Sequence, residues 1–342
     1  AGTSGIPADE LRRIPGRIAF ISERDGNREL YLLRPGEQVP TRLTESPDAA
    51  DYPAAATRDG SALLTVSVEE KAGLHLEQLW LRPLDGKAAR PVGPRAGKAR
   101  NPSWSPDGRW FVFESDSESF SDLYRQPRDG GKHERLTRSK DGCFEPALSP
   151  DGAWIAFVSS REGDPELYRM RVDGKAEQRL TAFHREDWSP RWSPDGKRIA
   201  FLSSREGVDR IFVMDANGTR LKALTGARTR DDPAESAPVW SPDGTRIAYV
   251  GKRKDERARL WVADVRTGAK QALTDGKHPD EAPEWSPDGR YLVFVSERDG
   301  DAELYLVRSD GSAPTRLTRS PKPDWLPRWI PEAPAKTPAR GR

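Results

Sequence analysis

Only one cysteine, Cys143, occurs in 342 residues. No disulfide can close within the chain, and the thiol has no cysteine partner for a metal knot. It excludes neither an oxidising nor a reducing compartment, and no motif around it marks a nucleophile. Histidine is nearly as scarce, with four. There is no run of about 18 apolar residues, so no membrane-spanning helix is expected. No apolar signal segment follows Ala1, a first residue that suits a chain whose leader was removed. An excess of charge is also missing: 56 Lys and Arg nearly balance 54 Asp and Glu, which argues against a bulk binder of nucleic acid or anionic membrane. The one basic run free of acids, RPVGPRAGKAR from Arg90 to Arg100, reads as a solvated loop, while RTRDDP and GKRKDER mix signs.

Turn residues are plentiful instead. Glycine (29) and proline (30), with 35% hydrophobic and 32% charged residues, suit many short strands joined by many turns. The stretch PRWSPDGKRIAFLSSREG, Pro190 to Gly207, recurs in near copies along the chain. Its opening proline falls at Pro53, Pro102, Pro146, Pro190, Pro238, Pro283 and Pro327, about 45 residues apart, the period of a four-stranded propeller blade. From Pro190 to Thr225 the copy reads as four strands: PRW, KRIAFLS, RIFVMD and RLKALT. In the SPDG turn Pro194 supplies a fixed φ, Asp195 accepts from nearby backbone and Gly196 takes the positive φ that closes the hairpin. A proline at the head of the first strand marks an edge, which in a propeller is the innermost strand beside the channel. Tryptophan follows two residues later at Trp104, Trp192, Trp240, Trp285 and Trp329, with Ala55 and Leu148 in the other copies; so regular a position predicts packing between sheets.

Seven second strands are countable, beginning with RIAFIS at Arg17 and ending with RYLVFV at Arg290. The first lacks an inner strand before it, and the last PRW, at Pro327, lacks a second strand after it. The expected fold is therefore all-β: a seven-bladed β-propeller of four-stranded antiparallel blades. Its C-terminal inner strand, about 327–330, completes the N-terminal blade and removes the open sheet edges. One domain is expected at 16–331, between flexible tails at 1–15 and 332–342.

The WSPDG turns, SERDGNRELYLL from Ser22, SSREGDPELYRM from Ser159, SERDGDAELYLV from Ser296 and the recurrent RLT at Arg42, Arg135, Arg179 and Arg316 resemble the PD40 (WD40-like) repeats of TolB-like propellers. The resemblance implies a periplasmic or envelope-associated docking platform for proteins, an envelope lipoprotein among them. It does not imply TolB itself, which is similar to a six-bladed ring preceded by an α/β domain. Peptidase relatives carry their triad on a hydrolase domain, for which there is neither room nor a G-x-S-x-G here.

Constant blades leave function to the variable loops of one face, opposite the SPDG turns. Asp51, Glu145, Asp187, Glu235, Glu281 and Asp324 lie one to three residues before their prolines, and Arg100 and Asn101 take that place in the remaining copy. Together they predict an acidic rim at the channel mouth for a basic segment or a cation. Trp188 and Trp325 stand in the same loops as candidate anchors for a protein partner. Glu69, Glu70, His75, Phe120, Lys252 and Arg253 extend the face. The reading is a monomeric, non-catalytic binding platform with no cofactor. The alternative is a metal-dependent lyase or hydrolase of acidic oligosaccharides, with His184, Asp187, His278, Asp280 and Glu281 around a divalent cation.

Overall fold

The computed structural model describes residues 5–71, 73–226 and 233–332. The remainder of the two expected tails, 1–4 and 333–342, and most of RTRDDP lie outside the described residues. Among the described residues, 28 strands form seven four-stranded antiparallel sheets around a central channel. Six blades run consecutively, from inner strands Ala49–Ala56, Ala99–Trp104, Cys143–Leu148, Asp187–Trp192, Ala234–Trp240 and Asp280–Trp285 outward. The first blade is composite: Asp324–Ile330 pairs antiparallel with Arg17–Ser22, bringing Trp329 opposite Ile18 and Asp324 opposite Ser22. The ring thus closes as the sequence predicts.

Second and third strands are apolar on both faces because each blade is sandwiched between two others. Their side chains fuse into one apolar cluster per junction. Phe201 and Ile199 of the fifth blade meet Val158 and Leu167 of the fourth, and Ala200 and Ile211 of the fifth meet Ile247 and Tyr249 of the sixth. The repeated tryptophans lie at these junctions. Each donates its indole N–H to a backbone carbonyl of the preceding blade, Trp192 to Ala147 at 2.9 Å and Trp240 to Arg191 at 3.0 Å. In the SPDG turn, Ser193 Oγ accepts from Arg198 N–H and Asp195 Oδ1 from Lys197 N–H, which is why those letters barely vary.

The second blade corrects the sequence register by one residue. Trp104 donates to Ala55, the place held by Ala147 and Arg191 elsewhere, and Ala56 pairs with Leu63 as Trp192 pairs with Ile199. Ala56, not Ala55, therefore stands at the tryptophan position, and Ala54 rather than Pro53 matches the repeated proline.

Residues 5–15 also depart from a flexible tail. Ile6 and Ile14 are buried in the cluster between the seventh and first blades. A one-turn helix, Ala8–Leu11, directs Glu10 to Arg308 and Tyr291, and these partners hold its carboxyl down at about 2. Two isoleucines give this segment the apolar area to dock. At the other end, Gly60 has φ +65°, and a Cβ there would lie 1.8 Å from the Pro331 carbonyl oxygen; only glycine lets the C-terminal strand pass.

Candidate functional site at the channel mouth

The inner-strand residue paired with the last serine of the second strand, such as Asp324 with Ser22 or Asp187 with Ser203, sits at the mouth end but is buried between blades. Asp324 is buried and accepts from Arg24 Nη2 at 2.8 Å. Arg24 is fixed in turn by Ser22 Oγ, 2.8 Å from its Nε, and by the Tyr31 ring, 4.7 Å from the guanidinium carbon. The fifth and seventh blades repeat the pair as Arg205 with Asp187 at 2.6 Å and Arg298 with Asp280 at 3.0 Å. One layer outward, Glu29, Glu166 and Glu303 accept from the arginine and threonine of each RLT. The S-x-R, E-L-Y and R-L-T stretches are thus parts of one clamp that ties a blade's four strands together. Burial pushes the Asp324 carboxyl up, against the pull of Ser22 and Arg24.

The acidic rim is corrected accordingly. Asp51, Asp187, Glu235 and Asp324 are all buried, because the position that carries them faces a neighbouring blade and supplies a buried counter-charge or acceptor. Asp51 accepts from Ser46 Oγ at 2.8 Å. Glu235 accepts from Ile211 N–H and Thr225 Oγ1 beside the buried Arg210, which stands where other blades place a glutamate. The proposed metal ligands are not assembled either. Asp187 and Asp280 are engaged by Arg205 and Arg298 in separate blades. Among the described residues no group of three or more His, Cys, Asp or Glu is placed to hold a metal ion.

Arg100, Glu145, Trp188, Glu281 and Trp325 remain at the mouth. Here the inner ladder slips by a bulge, and the residue before the proline takes a left-handed φ in six blades: Asn101, Glu145, Ser189, Ala237, Ala282 and Leu326, at 47–56°. Six non-glycine residues in this strained region give the mouth a geometry set by the fold rather than by loop composition. Between the first, second and seventh blades a cavity of about 250 Å³ is lined by Ile21, Tyr52, Val295, Trp325 and the exposed Leu326. Arg28 crosses it, 5.6 Å from the Trp325 ring and 3.1 Å from Tyr52 Oη. Trp188 is half-buried against the fifth blade's neighbours. The hairpin Ala62–Lys71 and Leu74–Pro83 is longer than its counterparts and projects from this face, with His75 between Glu70 and Glu77.

A larger cavity, about 700 Å³, follows the channel from Arg100, Asn101 and Glu145 at the mouth to Pro150 in an opposite turn. Its mid-wall is set by the residue between each proline and tryptophan. That residue is small or apolar in most blades and charged at Arg191, Glu284 and Arg328. Arg328 donates to Glu284, whereas among the described residues Arg191 Nη1 reaches only its own blade's Pro190 carbonyl, at 3.1 Å. Both arginines touch solvent yet are walled in by protein, as in a narrow wet channel. Desolvation pushes both pKa values down, and the Arg191 charge helps bring Arg328 to about 10. Across from them Glu145, half-buried, accepts from Ser189 N–H at 2.7 Å and is pushed up by burial and, less, by Glu114. The sequence reading passed over Arg191, Glu284 and Arg328; the signal was the variable middle letter of P-x-W.

Comparison with known proteins follows this geometry. The family model described as the TolB beta propeller domain (PD40) matches residues 138–236 and 229–335. TolB from Acinetobacter baumannii is similar at 22% identity and TM-score 0.58, covering 97% of this chain and 88% of that one. An oligogalacturonate lyase in complex with manganese is similar at 18% identity and TM-score 0.69, with 92% and 88% covered. A puromycin-hydrolysing peptidase of Mycobacterium tuberculosis matches at 18% and TM-score 0.62, covering 98% of this chain but 56% of its own. At these identities the likeness is one of fold. No curated protein matches.

Proposed function

The chain belongs to the PD40 family of TolB β-propeller domains, and from that premise we propose that it is a non-catalytic binding platform of the bacterial cell envelope, docking a protein or peptide over the channel mouth. The observation that carries this reading is the contrast within the mouth. Its buried charges are consumed by the clamps, while Tyr52, Trp325 and Leu326 present an open aromatic and apolar pocket that adjoins the channel cavity. Aromatic anchors beside a polar rim are the pattern of a protein-binding hot spot. The envelope location rests on the family. Among the described residues no helix is long and apolar enough to cross a membrane.

Capture from an envelope extract, with wild type and a Leu326→Asn, Trp325→Ala double variant as parallel baits, tests the reading. A protein held by the wild type and lost by the variant is expected, with Leu326→Asn alone keeping the wild-type melting temperature. Equal capture by both baits refutes the mouth as the docking face.

A further inference from the structure

The fifth and first blades stand on opposite sides of the seven-membered ring, and each sends one arginine into the same 700 Å³ cavity. Two like charges facing one another in a confined space repel, and other arginines of the mouth and channel have a carboxylate beside them. Arg328 has Glu284, Arg100 has Glu114 at 2.7 Å, and Arg205 has Asp187. Arg191 makes no ion pair among the described residues; its one hydrogen bond is to the adjacent carbonyl, and Glu145 acts on it only at longer range. Its guanidinium therefore keeps most of its donor fork unused, in a channel whose walls weaken solvent screening. Ser103, Asn101 and Ser189 line the same cavity and add neutral polar groups around it.

We propose that this channel is a carboxylate-binding site, in which Arg191, with Arg328 opposite, receives an acidic side chain or C-terminal carboxylate of a peptide segment of the docked partner. The inference rests on the docking reading and sharpens it, since the sequence alone suggested an acidic mouth for a basic partner. A carboxylate entering from the mouth gives Arg191 a bidentate acceptor and relieves the repulsion between the two arginines.

The test uses the whole chain and three probes of stated chemistry: a hexapeptide of glutamate capped at both ends, its glutamine counterpart, and a hexapeptide of serine capped at the N-terminus only. Titration calorimetry at low salt is compared for wild type and Arg191→Gln, a substitution that breaks no ion pair. Binding of the glutamate or free-carboxylate peptide, absence of binding by the glutamine peptide, and an affinity at least about tenfold weaker in Arg191→Gln are expected. The two carboxylate probes tell side chain from chain end. Absence of carboxylate binding, or equal binding by the variant, overturns the proposal. So does tighter binding of trigalacturonate than of any peptide, which transfers the channel to a saccharide. Loss of partner capture by the Leu326→Asn, Trp325→Ala bait with full capture by Arg191→Gln overturns the channel site and leaves the docking face standing.

Discussion

Arg205 and Arg191 belong to the same blade and differ in everything that surrounds them. Arg205 lies 2.6 Å from a buried aspartate, donates to Ser203 Oγ at 2.8 Å and stands 4.6 Å from the Phe212 ring. Arg191 projects into a wet channel with one backbone acceptor. The first is committed to the blade; the second is available. The difference is one of partners: between the blades Arg205 has its aspartate, while along the channel Arg328 has Glu284 and Arg191 is left with no carboxylate among the described residues.

Substitutions can break or sharpen that division. The largest effect is expected from Asp187→Ala, which strands a nearly buried guanidinium: a loss of about 3–5 kcal/mol in denaturant unfolding, against a change within about 0.5 kcal/mol for Arg191→Ala. Similar losses from both would erase the distinction. Next comes Cys143, which occupies the aspartate position of the fourth blade, with Arg161 Nη2 3.4 Å from its sulfur. Cys143→Asp supplies the carboxylate that Arg161 lacks there, and it is expected to leave stability within about 1 kcal/mol of wild type; a loss as large as that of Asp187→Ala would show that the clamp does not transfer between blades. The smallest effect is Glu145→Gln. Because burial raises this carboxyl, its charge opposes folding above the ordinary carboxylate range. Neutralising it is expected to add less than about 1 kcal/mol at pH 7, with the gain vanishing as pH falls below that range. A loss at pH 7 in melting experiments would reverse the sign.

The blades were legible because their information is local and repeated. Ser193, Asp195 and Gly196 satisfy one another within a single turn, and the apolar runs flanking it are β-branched or aromatic. Direction was harder to read. Asp187 and Glu281 both precede a proline in the sequence, yet one residue of alternation sends the first between sheets and leaves the second exposed. Without a tryptophan to mark it, the second blade slipped by one position at Pro53. Ile6 and Ile14 were hidden in a segment of small and charged residues, where only tertiary contact with the seventh blade reveals their role. The channel arginines were visible as letters, but nothing local distinguishes Arg191, whose neighbours across the ring are far away in sequence.

The composite first blade also imposes an order on biosynthesis. Arg17–Ser22 leaves the ribosome before the six other blades but acquires its inner neighbour, Asp324–Ile330, only after all of them have been made. While those six blades are being synthesised that edge stays unpaired and able to recruit a foreign strand. Chaperone dependence should therefore concentrate on nascent chains shorter than the last strand and disappear once it emerges.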